Sequence, residues 1–353
     1  MNFSHKIKNY RYGALLQRFF LLLMVLFMSA MPAVSDMAGR YCSDCHTMHY
    51  SQGGAALGSW GDSGPYNALL IDTCVGCHTG TNTADSTPYV MSSGAPTYGT
   101  NTLAGGSFYW VTTGEDKGHN VVGIVTADSQ PLPPGFDAGV SAADGSIPGA
   151  SWSSNQITCA GTYGCHGTHD ETVVEAAISG GHHYNASGAI ETPGTSTGGG
   201  YRMLIGVAGY EDADWELTTS VSDHNQYKGV DGGGYSAATI SSLCRRCHND
   251  FHSDIAGSSP WLRHPIDFDM GSTDSGSEVR SYGPAYNPEV PVASTNVSAR
   301  VSSVTFVDDT IVTCLSCHRA HGSPYDKLLR WDYYSSAYTS DTAGCAVCHT
   351  SKK

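Results

Sequence analysis

The sequence predicts a mostly irregular chain with short helices and few short strands. Glycine contributes 42 of the 353 residues, and charged residues make up only 14%. Compositions of this kind rarely build a large core of packed regular elements. The third observation is a set of 12 cysteines, which fall into six pairs and offer another way of holding the chain together.

The N-terminal segment, residues 1–35, has the pattern of a secretory signal peptide. Its basic residues are Lys6, Lys8, Arg11 and Arg18. An apolar run covers Phe19–Met31, and the small residues Ala33–Ser35 form a cleavage site before Asp36. The alternative is a membrane anchor, but the run has 13 residues, whereas a spanning helix needs about 20. We therefore predict a mature protein, residues 36–353, that is exported through the periplasm and secreted to the cell surface.

The mature chain is predicted to be acidic. Removing residues 1–35 takes away four of the 18 basic residues and none of the 32 acidic ones, which leaves a net charge of −18. A general nucleic-acid-binding protein needs a basic footprint. This charge therefore excludes nucleic acid as a general partner.

A histidine follows the second cysteine of every pair. The five motifs with the spacing C-x-x-C-H are Cys42, Cys45 and His46; Cys74, Cys77 and His78; Cys244, Cys247 and His248; Cys314, Cys317 and His318; and Cys345, Cys348 and His349. This spacing is the attachment motif for c-type haem, in which the two thiols bond to the porphyrin and the histidine coordinates the iron. Disulfides and zinc sites also use paired cysteines, but they give no reason for the histidine. We predict covalently bound c-type haem at each motif.

The sixth pair is a stretched motif: Cys159 and Cys165 are separated by five residues and followed by His166. The inserted residues must loop out before the second thiol returns to the ring edge, and Gly161 and Gly164 permit such a loop. The alternative is a disulfide between the two cysteines, but His166 and the nearby His169 fit a haem better. The prediction is therefore six c-type haems, with no cysteine left for a disulfide.

Six haems in the 318 residues of the mature chain leave about 53 residues for each. We therefore predict a multihaem cytochrome c fold, with one domain over residues 36–353 wrapped around a chain of six haems. Short helical turns are expected at the motifs, and a short strand around Val301–Val312.

Histidines outside the motifs are candidates for the second axial ligand of each iron. Four of them, His49, His169, His252 and His321, stand three or four residues after an attachment histidine. Ligand nitrogens on opposite faces of one iron are about 4 Å apart, with the whole porphyrin between them. So short a stretch of chain cannot pass around the rim, so each such ligand must cap a different haem and bring neighbouring haems close to contact.

The alternative for these four histidines is a role on the surface or at a haem propionate, but their matching offsets favour ligation. His119 and His264 complete a set of six distal ligands. His182, His183 and His224 are predicted to be exposed loop residues or propionate partners. Iron with two histidine ligands has no open position for a substrate, which suits electron transfer rather than catalysis.

Several segments resemble those of the filament-forming, extracellular hexahaem c-type cytochromes of metal-reducing bacteria. They are CSDCHTMH (Cys42–His49), KGHN (Lys117–Asn120), CRRCHNDFH (Cys244–His252), LRHP (Leu262–Pro265), CLSCHRAH (Cys314–His321) and the terminal Cys345–His349. The resemblance spans the mature chain in haem number and motif order. The stretched third motif departs from the family pattern.

The resemblance implies distal ligands at His49, His119, His169, His252, His264 and His321. It also implies an end-to-end homopolymer, in which His49 of one chain caps the haem on Cys314 and Cys317 of the next. Upstream outer-membrane or periplasmic electron donors and extracellular electron acceptors would be the other partners.

Three other functions stay open at this stage. The first is a monomeric periplasmic or surface electron shuttle. The second is a multihaem reductase with one open haem, for which the stretched motif is the candidate site because no C-x-x-C-K motif is present. The third is a structural surface protein that uses haem as a cross-link.

Overall fold

The computed structural model describes residues 51–52, 55–56, 74–83, 88–125, 132–137, 156–178, 204, 206–232, 238–252, 264–272, 282–334 and 344–349. These residues belong to a compact unit that spans Tyr41–Lys353. The segment 1–35, the first attachment motif, His49, His182 and His183 lie outside the described residues. The predictions for them, and for the domain boundary at residue 36, stay predictions.

The helices are short and concentrate at the attachment motifs. The α-helices are α1 (Cys74–Cys77), α2 (Val174–Ala177), α3 (Ile240–Arg245) and α4 (Cys314–Cys317). Turns of 3-10 helix cover Phe108–Thr112, Glu115–Lys117, Asn249–His252, Met270–Ser272, Asp326–Leu328 and Gly344–Val347. Across the described ranges, no helix has the length and apolar character needed to cross a membrane.

The strands are also short. They are β1 (Ser51–Gln52), β2 (Ala55–Ala56), β3 (Thr79–Gly80), β4 (Met91–Ser92), β5 (Gly209–Tyr210), β6 (Gln226–Lys228), β7 (Phe268–Asp269), β8 (Ala293–Ser294) and β9 (Ile311–Val312). The pair β1–β2 is antiparallel and the pair β3–β4 is parallel. The remaining strands form one sheet in the order β5-β6-β8-β9-β7, in which only β6 and β8 run parallel. The predicted strand segment, residues 301–312, contains β9 at its end.

Strand β9 forms where two β-branched residues follow an aspartate-rich turn. The Asp309 carboxylate accepts hydrogen bonds from the backbone and hydroxyl of Thr305, both at 2.7 Å, which closes the turn before the strand. Ile311 and Val312 are then both buried in the sheet, as expected for side chains that favour a pleated surface. Phe268 of β7 pairs with Val312 in register.

Two apolar clusters form the buried core of the described residues. One is centred on Met270, Tyr286 and Trp331, and Cys317, Cys345 and Cys348 pack against it. The other contains Tyr227, Ala293 and Ile311, and Cys165 packs against it. Attachment cysteines therefore border the core, where a covalently bound porphyrin would extend it. The predicted fold class, mostly irregular with short helices and few short strands, is confirmed.

Candidate haem-binding sites

The described attachment motifs share one backbone hydrogen bond. In each ordinary motif the N–H of the histidine donates to the carbonyl of the first cysteine: His78 to Cys74 at 2.9 Å, His248 to Cys244 at 3.0 Å, His318 to Cys314 at 3.0 Å and His349 to Cys345 at 2.9 Å. In the stretched motif, His166 donates to Cys159 at 3.0 Å. The longer motif therefore begins and ends in the same backbone register as the ordinary ones.

The five residues between the cysteines of the stretched motif fold back on themselves. The Gly161 N–H donates to the His166 carbonyl at 2.9 Å, and the Gly164 N–H donates to the Gly161 carbonyl at 3.0 Å. Gly161 has φ +86°, a conformation that side chains disfavour. A Cβ atom on Gly164 would lie 2.5 Å from the backbone nitrogen of Ala160. The sequence prediction that these glycines permit the loop agrees with the contacts that they make.

Attachment cysteines of successive motifs lie beside one another. A hydrogen bond to Cys74, together with burial, raises the pKa of the Cys159 thiol. A hydrogen bond to Cys314, together with burial, does the same for Cys244. Cys165 lies close enough to Cys247 to raise that thiol's pKa further, after the larger effect of burial. The described sites therefore follow one another in space in the order of the sequence. Cys159 and Cys165 are both reduced thiols and form no disulfide in this structure.

Three attachment histidines face a histidine from a distant part of the chain. The ring centroids are 6.4 Å apart for His166 and His321, 6.1 Å for His248 and His119, and 6.0 Å for His349 and His264. Two imidazoles on opposite sides of one iron have centroids about 6 Å apart, because each iron–nitrogen bond is about 2 Å long. The three pairs therefore have the separation that a shared iron requires.

Backbone carbonyls orient several of these imidazoles. In five histidines the Nδ1 atom lies within hydrogen-bond distance of a backbone carbonyl oxygen. The pairs are His78 and Pro88 (2.7 Å), His119 and Ala320 (2.6 Å), His248 and Pro134 (2.7 Å), His264 and Pro265 (2.8 Å), and His318 and Lys327 (2.7 Å). Because a carbonyl oxygen can only accept, Nδ1 carries the proton and donates. The Nε2 lone pair is then left for a metal, as in histidine ligands generally.

Burial keeps two of the distal candidates neutral. It lowers the pKa of His119 to about 4, and the nearby His248 lowers it further. Burial likewise lowers the pKa of His321 to about 3, with His166 as the next largest cause. At neutral pH both imidazoles are uncharged, which is the form that coordinates iron.

Close contacts with neighbouring backbone segments fix the position of His321. Gly105 lies against the ring, since a Cβ atom there would be 2.8 Å from Nδ1. Gly106 has φ +81° and touches the carbonyl of Gly322. On the other side, the Phe108 ring stacks on the imidazole with centroids 4.7 Å apart. The His119 N–H donates to the His321 carbonyl at 3.2 Å, so one group of backbone contacts positions two distal histidines.

Pairs of histidines, rather than clusters of three or more ligands, match what haem iron requires from the protein. Within the described residues, no group of three or more His, Cys, Asp or Glu side chains could hold a metal ion. Haem iron needs only two protein ligands, because the porphyrin nitrogens supply the other four. The residues present therefore fit covalently bound haem, with thiols, a proximal imidazole and a distal imidazole at each of three sites.

Among the described side chains, none of the remaining distal candidates faces a second imidazole. Nε2 of His169 lies 3.3 Å from the Cys165 carbonyl oxygen, within its own motif. The side chain of His252 and all of His49 lie outside the described residues, so their ligation stays a prediction. The exposed-loop expectation for His224 is wrong: its ring is fully buried and stacks on Tyr286 with centroids 3.6 Å apart.

The sequence analysis missed the groups that orient the site. They are the carbonyls that anchor Nδ1, the glycines at 105 and 106, and Arg246, which is buried between two motifs. A backbone carbonyl leaves no mark on residue identity. A glycine pair and an arginine inside a motif are visible signals, but neither indicates which distant residue it contacts.

Attachment motifs that follow one another in space, together with imidazoles in pairs, are typical of a multihaem c-type cytochrome. Residues 308–353 match the family model described as a doubled CXXCH motif. The chain is 26% identical to C-type cytochrome OmcS of Geobacter sulfurreducens, over 92% of this chain and 87% of that protein. The chain therefore contains covalently bound haem and is similar to OmcS over nearly its whole length.

Two solved structures from Geobacter sulfurreducens are also similar. One is described as an outer membrane cytochrome S filament, with 20% identity, a TM-score of 0.38 and coverage of 84% of this chain and 85% of that one. The other is described as OmcS nanowires, with 21% identity, a TM-score of 0.44 and coverage of 87% and 90%. The resemblance carried by the sequence motifs is confirmed by the OmcS match in sequence.

Proposed function

We propose that the chain carries six haems, each with two histidine ligands, and transfers electrons as the repeating subunit of an extracellular filament. The observation that carries the electron-transfer part is the set of three histidine pairs with centroids 6.0–6.4 Å apart. Haem iron supplies the ferric–ferrous couple. The chain's own residues fix the axial positions, so that no substrate reaches the metal.

The three pairs support the proposal of three distal ligands. His321 would cap the haem on Cys159 and Cys165, His119 the haem on Cys244 and Cys247, and His264 the haem on Cys345 and Cys348. His49, His169 and His252 would serve the haems of the first, second and fifth motifs. His321 follows His318 by three residues yet faces His166, which supports the argument that such histidines cap a neighbouring haem rather than their own.

Assembly into a filament is supported by the sequence relationship to OmcS, whose solved structures are described as filaments and nanowires. In the proposed polymer, His49 of one subunit caps the haem on Cys314 and Cys317 of the next. The signal-peptide pattern of residues 1–35 supports export. Outer-membrane or periplasmic cytochromes would then supply electrons, and an extracellular acceptor would receive them.

The test uses the protein secreted by cells with an intact haem-attachment pathway. Intact mass should give six covalent haems, electron paramagnetic resonance should show low-spin iron throughout, and electron microscopy should show ordered filaments. His49→Ala should leave six haems attached, make one of them five-coordinate and abolish filaments. The matched control His264→Ala should open a different haem and leave filaments intact.

Each part of the proposal has its own contrary result. Fewer than six haems, or a high-spin haem in the wild-type protein, would refute the full ligand set. If the protein has six low-spin haems but electron microscopy shows only single particles, the filament is refuted and the monomeric shuttle is the better function. Filaments that persist in His49→Ala with all haems low-spin would refute the ligand that crosses between subunits.

A further inference from the structure

Arg246 belongs to the fourth attachment motif but reaches into the third. It follows α3 directly, and the residue is only 3% exposed. Its Nη2 donates to the Thr162 carbonyl at 2.9 Å, and its Nη1 donates to the Gly164 carbonyl. Both acceptors lie among the five residues between the cysteines of the stretched motif. One buried guanidinium thus contacts the loop at two points.

The third motif needs an external contact that the ordinary motifs do not. In α1 and α4 a single helical turn spans the two cysteines and fixes their separation. The stretched motif has no such helix, and five residues must leave and return. Buried carbonyls that point away from a loop need a donor, and leaving one without a partner costs about 1–3 kcal/mol. Arg246 supplies donors to two of them.

The same side chain lies beside the reacting group of the loop. Gly164, whose carbonyl accepts a hydrogen bond from Arg246, directly precedes Cys165. The loop also bonds to its own flank, since Thr162 donates through its backbone to Glu171 at 2.9 Å. The inserted residues are therefore held from two sides, by residue 171 of the same segment and by residue 246 of the next motif.

We propose that Arg246 is a positioning residue for the third haem. It holds the Cys159–Cys165 loop closed, so that both thiols reach the porphyrin edge as they do in an ordinary motif, and it joins the third attachment site to the fourth. The inference rests on the proposed function, because it requires a haem on the stretched motif. At each thiol, the S–H bond adds across one vinyl double bond: sulfur bonds to the carbon next to the ring, the hydrogen goes to the outer carbon, and no oxidant or reductant is needed.

The first experiment compares Arg246→Gln with wild type, both secreted as full-length holoprotein. Mass spectrometry of the peptide that contains residues 159–166 measures how many chains carry haem there. The pyridine haemochrome spectrum separates haem with two thioether bonds from haem with one. We expect the fraction of third motifs with two thioether bonds to fall to less than half, while the peptide that contains residues 345–349 keeps its haem. Arg246→Lys, which retains a buried cation and a donor, should restore part of the loss.

The second experiment separates positioning from general destabilisation. Deleting residues 161–163 turns the third motif into Cys159-Ala160-Gly164-Cys165-His166, which has the ordinary spacing. On this background Arg246→Gln should no longer reduce attachment at the third motif. An equal loss on both backgrounds would overturn the proposal, and so would full double attachment in Arg246→Gln with the native loop. A wild-type peptide without haem would instead refute the six-haem assignment itself, before the variants are compared.

Discussion

The third and fifth attachment motifs reach the same backbone geometry by different means. In the fifth, α4 spans the two cysteines, and the Ser316 hydroxyl accepts from the Thr313 N–H at 3.0 Å and donates to the Pro291 carbonyl at 2.6 Å. In the third, a loop of five residues is closed by turn hydrogen bonds and by Arg246. One motif is stabilised by its own short helix and the other by contacts from elsewhere.

The comparison shows which feature the two motifs have in common. The histidine N–H donates to the carbonyl of the first cysteine at 3.0 Å in both. The number of residues between the thiols differs, but this bond joins the histidine to the first cysteine in the same way in both. The two motifs therefore share the register of this hydrogen bond although they differ in length.

The largest effect is expected from His321, which belongs to the fifth motif in sequence and to the third in space. His321→Ala should convert the haem at His166 to five-coordinate, high-spin iron that binds added cyanide, because the imidazole 6.4 Å from the His166 ring is lost. Resonance Raman spectra and a cyanide titration measure the change. The haem on the fifth motif should keep its ligands. If every haem stays low-spin in this variant, His321 does not ligate the haem of the third motif.

Gly106→Ala should be strongly destabilising. The position has φ +81°, and an added Cβ would collide with the Gly322 carbonyl. Positive φ and the collision together should lower the free energy of unfolding by about 3 kcal/mol, as measured by denaturant titration of the holoprotein. Gly283→Ala is the matched control, because a Cβ there meets nothing within 4 Å. Equal stability of the two variants would contradict the close approach that holds His321.

Gly164→Ala should weaken the third motif and leave the fifth unchanged. A Cβ atom would lie 2.5 Å from the Ala160 nitrogen, so the inserted loop must open, at a cost of about 2 kcal/mol. Peptide mass spectrometry should show partial loss of haem at residues 159–166 and none at residues 314–318. Gly94→Ala, where a Cβ meets nothing within 4 Å, serves as the control. Full attachment in Gly164→Ala would mean that the loop is not held closed in the way described.

Ser316→Ala should have the smallest effect and should act only on the fifth motif. The substitution removes the two hydrogen bonds of a buried hydroxyl, which should cost about 1–2 kcal/mol of unfolding free energy. Haem should remain attached at both motifs, because α4 still spans the cysteines. Loss of haem from the fifth motif would show that its helix, like the third motif's loop, depends on side-chain contacts.

Much of the site could be predicted from the sequence because haem attachment is local chemistry. Two thiols and an imidazole must lie within one short stretch, so the motifs mark the sites directly. The offset of three residues between His318 and His321 also excluded a shared iron, by geometry that needs no structure. The irregular fold followed from the glycine content and the low charge.

What the sequence by itself determined is where the candidate attachment motifs lie, which histidines are available and that the fold is mostly irregular. Only the tertiary structure decided that His321 faces His166, that His119 faces His248, and that Arg246 supports the third motif. These pairings depend on glycine contacts, carbonyl anchors and buried donors that come together from distant segments. A sequence motif records the groups that react with one cofactor, whereas the packing of the whole chain decides which of those cofactors become neighbours.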